Sequence, residues 1–97
     1  MNEPPTDNPI TPDTIIRIMP TFRLQWEPMQ NAYVLLYPEG MVKLNPSAGE
    51  ILKYCDGARK VSQIVGELQA QFPGADLEAD VLTFLHAAHE QGWIKTV

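Results

Sequence analysis

Residues 35–57, LLYPEGMVKLNPSAGEILKYCDG, decide the fold. An apolar run stops at Pro38-Glu39-Gly40, read as a short hairpin turn in which glycine supplies a positive φ at little steric cost. Met41, Val42, Lys43 and Leu44 return as a strand. Asn45-Pro46 then opens a helix, since asparagine caps free N–H groups and proline at the first helical position gives up a donor that would be unpaired anyway. Ala48, Ile51, Leu52 and Cys55 recur at helical spacing, and Asp56-Gly57 reads as the stop.

Upstream, Phe22, Leu24 and Trp26 alternate with Arg23 and Gln25, the period of a half-buried strand. The breakers at residues 27–31 make a turn, and residues 32–37 follow as a second, more fully buried strand. Downstream, Val61, Ile64, Val65, Leu68 and Phe72 mark a second helix that Pro73-Gly74 ends. A third begins near Asp76, where Asp76, Glu78 and Asp80 complement the positive helix end. Its stripe is Leu77, Val81, Phe84, Leu85 and Ala88; Gly92 terminates it, and Trp93 and Ile94 are expected to pack back on the core.

The pattern predicts an α+β class: a winged helix-turn-helix-like domain over residues 21–97, built as a three-stranded antiparallel sheet followed by three helices. Residues 1–20 hold five of the nine prolines, and that stretch reads as a flexible tail with a loosely docked isoleucine cluster at Ile15, Ile16 and Ile18. At 97 residues and 44% apolar content the chain is long enough for one core but has little left to wall off a deep active site.

Composition removes several functions. A formal charge of -5 repels phosphates and anionic headgroups, so neither nucleic acid nor a membrane surface is the expected partner. No apolar run approaches the length of a membrane span. Cys55 is the single cysteine, which excludes an internal disulfide and points to a reducing, cytoplasmic setting. A DNA-reading winged helix, a transcriptional regulator, is the alternative for this layout. Its recognition helix would be the third, which carries acids and no Lys or Arg, so docking would press carboxylates toward phosphates.

Catalytic and metal sites find little support. His86 and His89 stand three apart on one helix, but a zinc site needs further ligands, and Cys55 lies on another helix within an apolar stripe. The carboxylates are scattered, and no glycine-rich phosphate loop is present. No cofactor is expected.

A physical site remains. If Met41, Val42, Lys43 and Leu44 form the outer strand, its unpaired backbone groups accept a strand from another polypeptide, with Lys43 guarding against indiscriminate pairing. If the third helix packs alongside, Val81, Leu82, Phe84, Leu85, His86 and His89 wall a groove beside that edge. Phe84, Leu85 and Ala88 also read as plain core, whereas Leu82 lies off the stripe and is the better groove candidate. The same edge leaves a homodimer open.

These residues resemble the PqqD family, small peptide chaperones of pyrroloquinoline quinone biosynthesis. The resemblance covers about residues 22–94 and is densest in Phe22-Arg23-Leu24-Gln25-Trp26-Glu27, in Val34-Leu35-Leu36-Tyr37-Pro38-Glu39-Gly40 with Val42, Leu44 and Asn45, and in Cys55-Asp56-Gly57 with Arg59. The proline-rich tail departs from the family pattern, as does Lys60, which stands where a small capping residue is expected. The resemblance implies a non-enzymatic module that binds the ribosomally made precursor peptide of the quinone and presents it to a radical S-adenosylmethionine enzyme. In such recognition elements the precursor adds to the third strand and lies against the third helix, here residues 41–44 and 81–89.

Overall fold

The structure, a computed structural model, describes residues 10–97. Its elements in chain order are β1 (Ile15–Ile18), β2 (Arg23–Glu27), β3 (Ala32–Tyr37), β4 (Gly40–Lys43), α1 (Pro46–Lys53), β5 (Asp56–Lys60), α2 (Val61–Gln71), α3 (Glu78–Glu90) and β6 (Ile94–Thr96). They form two antiparallel three-stranded sheets, one ordered β2-β3-β4 and the other β5-β1-β6. The expected α+β, winged-helix-like class holds, and the second sheet adds to it.

The hairpin β3–β4 closes with Tyr37 opposite Gly40 and runs through Leu35 opposite Val42 to Val34 opposite Lys43. Gly40 is the first residue of β4 and does not take a positive φ, contrary to expectation; Pro38 and Glu39 make the reversal alone. β3 is the middle strand and is buried on both faces, at Val34 on one and Leu35 on the other. Phe22 meets Tyr37 and Trp26 meets Tyr33, with ring centroids 5.4 and 5.0 Å apart, so aromatic cross-strand pairs reinforce the ladder.

The tail boundary at residue 20 needs correcting. Residues 1–9 lie outside the described residues, but Ile15–Ile18 is the central strand of the second sheet, hydrogen-bonded to β5 on one side and β6 on the other. Ile16 is 0% exposed and Ile10 is buried too. Pro12 and Pro20 flank this strand instead of interrupting it, so a proline-rich stretch still holds a paired strand. Pro12 and Thr14 also accept from the N–H groups of Ser62 and Val61, tying the segment to the start of α2.

Two helix ends also move. α1 has the predicted start, with Asn45 Oδ1 accepting from Ala48 N at 2.8 Å, but stops at Lys53. Asp56 and Gly57 instead open β5, where Gly57 takes φ 81° beside a register shift in the β1 ladder. Arg59 and Lys60 therefore lie in strand, with Arg59 Nη1 2.6 Å from Asp56 Oδ2. α2 begins at Val61 despite Lys60, because the Gln63 side chain accepts from Lys60 N.

α3 starts two residues after Asp76, which does not cap it. Gln69 on α2 does that work from outside: Gln69 Oε1 accepts from Leu77 N at 2.8 Å while its amide donates to the Ala75 carbonyl. The Gln69 side chain thus ties two backbone groups of the loop between α2 and α3, whose last residue, Leu77, packs on the core. Ala48, Ile51, Leu52, Cys55, Val61, Ile64, Leu68, Val81, Leu85, Ala88 and Ile94 form one apolar core with Leu35, Leu44 and Ile16. Phe72, placed on the buried stripe by its spacing, lies past the end of α2 and is 49% exposed.

Candidate functional site

β4 ends the sheet order, so among the described residues no strand covers its outer side. Antiparallel pairing decides which backbone groups are free. Leu44 N donates to Tyr33 O at 3.0 Å, and hydrogen-bonded pairs alternate along an antiparallel ladder. Leu44, Val42 and Gly40 therefore turn their amides and carbonyls toward β3, and Met41 and Lys43 present theirs outward. The side chains divide the same way: Val42 and Leu44 face the core, whereas Met41, 48% exposed, and Lys43 lie on the opposite face.

A cavity begins just past β4, and none of residues 40–44 lines it. Where β4 passes into α1, Asn45, Pro46, Ser47, Glu50 and Ile51 make one wall of a space of about 580 Å³. Leu68 and Phe72 of the α2 end close its back, and Leu77, Asp80, Val81 and Phe84 of α3 its far side. Aliphatic and aromatic side chains dominate that lining, and its two ionisable groups are carboxylates. Lys53 Nζ stands 3.0 Å from Glu50 Oε1, an ion pair without the alignment of a good hydrogen bond. The Glu50 partner raises the Lys53 pKa above its ordinary value.

Of the α3 residues expected to form the groove, Val81 and Phe84 line it. Leu82 does not: it is half-buried and packs on the core. Leu85 is wholly buried, as its core reading had it. His86 is exposed, and His89 is half-buried near the end of α3. The physical reason is placement: α3 packs chiefly on α2 and β6, so its first half, not its whole length, faces the β4–α1 junction. Not among the expected groove residues are Asn45, Pro46, Ser47, Glu50, Ile51, Leu68, Phe72, Ala75, Leu77 and Asp80. Phe72 had a signal, since an aromatic residue immediately before Pro73-Gly74 has no following helical turn to bury it.

No group of three or more His, Cys, Asp or Glu capable of holding a metal occurs among the described residues. Cys55 is buried, donates its thiol to the Ile51 carbonyl and is pushed up to about 12 by desolvation and the neighbouring Asp56. Asp56 Oδ1 accepts from Ala58 N and Arg59 N, and the first of these, with Arg59, holds its carboxyl below the usual range.

Fold and site define a small winged-helix-like α+β domain with an unpaired strand edge and, past the end of that strand, an apolar groove. The family model for coenzyme PQQ synthesis protein D (PqqD) matches residues 32–94. The chain belongs to the PqqD family. A PqqA binding protein of Pseudomonas paraeruginosa is 59% identical over 75 residues, 76% of this chain and 82% of that one. Among solved structures, the PqqD part of Methylobacterium extorquens PqqCD is similar at a TM-score of 0.70 and 30% identity, covering 86% of this chain and 89% of that one. That relative is described as a functional, stand-alone recognition element for ribosomally synthesised and post-translationally modified peptides. The heterocyclase TruD contains a similar domain, at a TM-score of 0.67 and 28% identity, which covers 87% of this chain and 12% of that enzyme.

Proposed function

We propose that this protein is a peptide chaperone of pyrroloquinoline quinone biosynthesis, which binds a PqqA-type precursor as an added strand on β4 and presents it to a radical S-adenosylmethionine enzyme. One observation supports the reading: β4 is an end strand whose outward groups belong to Met41 and Lys43, and the residues that follow it from Asn45 wall an apolar groove shared with α3. Ladder hydrogen bonds supply register, and side chains seated in the groove supply choice. The names of the relatives support a precursor peptide as the guest.

The protein acts by binding and catalyses nothing. Its groove offers carboxylates over an apolar floor, and its cysteine is buried and protonated. Presentation to a second protein fits the relatives in which the same fold is one part of a longer chain. The unpaired thiol suits the cytoplasm.

Titrating isotope-labelled protein with the precursor peptide tests this. Amide shifts are expected at Met41, Lys43, Val81 and Phe84; shifts that avoid both β4 and α3 would overturn it. Adding the radical enzyme should give a ternary complex on size exclusion, whereas a purely structural subunit would bind the enzyme and not the free peptide. The DNA-binding alternative predicts retention on DNA that falls steeply with salt, against which α3 offers no Lys or Arg. Self-pairing of β4 edges predicts a homodimer that the peptide dissociates, measurable by sedimentation.

A further inference from the structure

We infer, resting on the strand-addition reading above, that the groove selects its guest by a paired signal: an apolar side chain seated between α1 and α3 with a lysine or arginine close beside it, held by Asp80. The lining contributes two carboxylates, Glu50 from α1 and Asp80 from α3, and no cation. These two are not equivalent. Glu50 already has Lys53 at 3.0 Å, while the ion pairs among the described residues, Lys53 with Glu50 and Arg59 with Asp56, leave Asp80 out. Asp80 is exposed at the first turn of α3, on the rim of an apolar space. A free carboxylate there attracts a guest cation and repels a guest acid, within a chain whose formal charge of -5 adds to the same field.

The pleat places the two guest residues. A strand paired to the outward groups of Met41 and Lys43 turns every second side chain to the face shared by Val42 and Leu44, and the next ones to the Met41 and Lys43 face. The apolar anchor is therefore a guest residue on the Val42 face, at the end of β4 that leads to Asn45. The cation lies within two residues of it, the span a lysine or arginine stem covers while its head stays in water.

The test is a binding scan by fluorescence anisotropy at low salt, using the labelled precursor peptide with single substitutions against the wild-type protein, Asp80→Asn and Asp80→Lys. Thermal melts confirm that the variants fold, as the exposure of Asp80 leads one to expect. Asp80→Lys should weaken the unaltered peptide about fivefold and Asp80→Asn less, the size of exposed ion-pair effects. A peptide whose Lys or Arg beside the anchor is replaced by Glu should weaken on the wild type and recover on Asp80→Lys. Unchanged affinity of Asp80→Lys for the unaltered peptide, or no recovery in the swap, overturns the paired signal and leaves strand addition intact. Failure of the wild-type protein to bind the unaltered peptide overturns both.

Discussion

Gly49 lies directly beneath the ring of Tyr33: a methyl group built on its Cα would stand 2.7 Å from Tyr33 Cδ2 and 3.0 Å from Cβ. This approach lets α1 settle on β3, which sets the β4–α1 junction and so one wall of the groove. Gly49→Ala would otherwise favour a helix by up to about 1 kcal/mol. Here overpacking dominates, and the variant should lose about 1–3 kcal/mol in urea denaturation. Gly66, in α2, has nothing within 4 Å of the same position, so Gly66→Ala should gain about 0.5–1 kcal/mol. Equal shifts in the two variants would mean that α1 is free to slide on the sheet.

Ile16 tests the second sheet. It is fully buried in the strand that joins β5 to β6, so Ile16→Ala should cost about 2–5 kcal/mol of unfolding free energy. A residue in a mobile tail would cost nothing measurable.

Proline separates the two sides of β4. At Lys43 the lost N–H points outward, so Lys43→Pro should keep the fold and weaken the precursor by roughly five- to tenfold, one hydrogen bond of about 1 kcal/mol. Lys43→Ala removes the charge alone and should bind nearly as the wild type does. Val42→Pro strips the ladder on the β3 side, leaves the Leu35 carbonyl unpaired and should destabilise by about 1–3 kcal/mol. Calorimetric titration alongside thermal melts distinguishes the three.

Cys55 should be silent toward a disulfide reagent until the protein opens. Its thiol moves from an ordinary 9.0 to about 12 in the fold. A raised folded value means that the stabilising contribution is whole below 9.0 and is lost as pH rises toward 12, where the unfolded chain ionises first. Cys55→Ala should flatten this alkaline limb of the Tm profile. A fast thiol reaction at pH 8 would contradict the burial.

Asp56 contributes to the opposite limb. Its carboxyl is lowered from 3.8, chiefly by the Ala58 amide, so its contribution is present above 3.8 and disappears as pH falls through the lower folded value. Asp56→Asn should flatten the acid side of the same profile.

Several features were legible in the sequence because they depend on neighbours in the chain. The β2–β3–β4 hairpins follow from alternation and turn residues, and the start of α1 follows from Asn45-Pro46, whose cap bond spans three residues. The blocks around Trp26, Tyr37 and Asp56 carried the family likeness, which matching residues 32–94 establishes. The outer position of β4 was also foreseeable, since a meander must end somewhere.

Tertiary structure alone decided the rest. Four residues at β1 and three at β6 are too short to announce themselves, and become strands because each finds partners about 40 or 80 residues distant along the chain. Which amides of β4 face outward depends on the phase of its ladder with β3, which a hydrophobic pattern does not encode. The groove belongs to the first half of α3 because Gln69 sets the start of that helix and α2 and β6 hold its far end. Side-chain spacing names the stripe of a helix; only packing tells which part of that stripe meets a cavity.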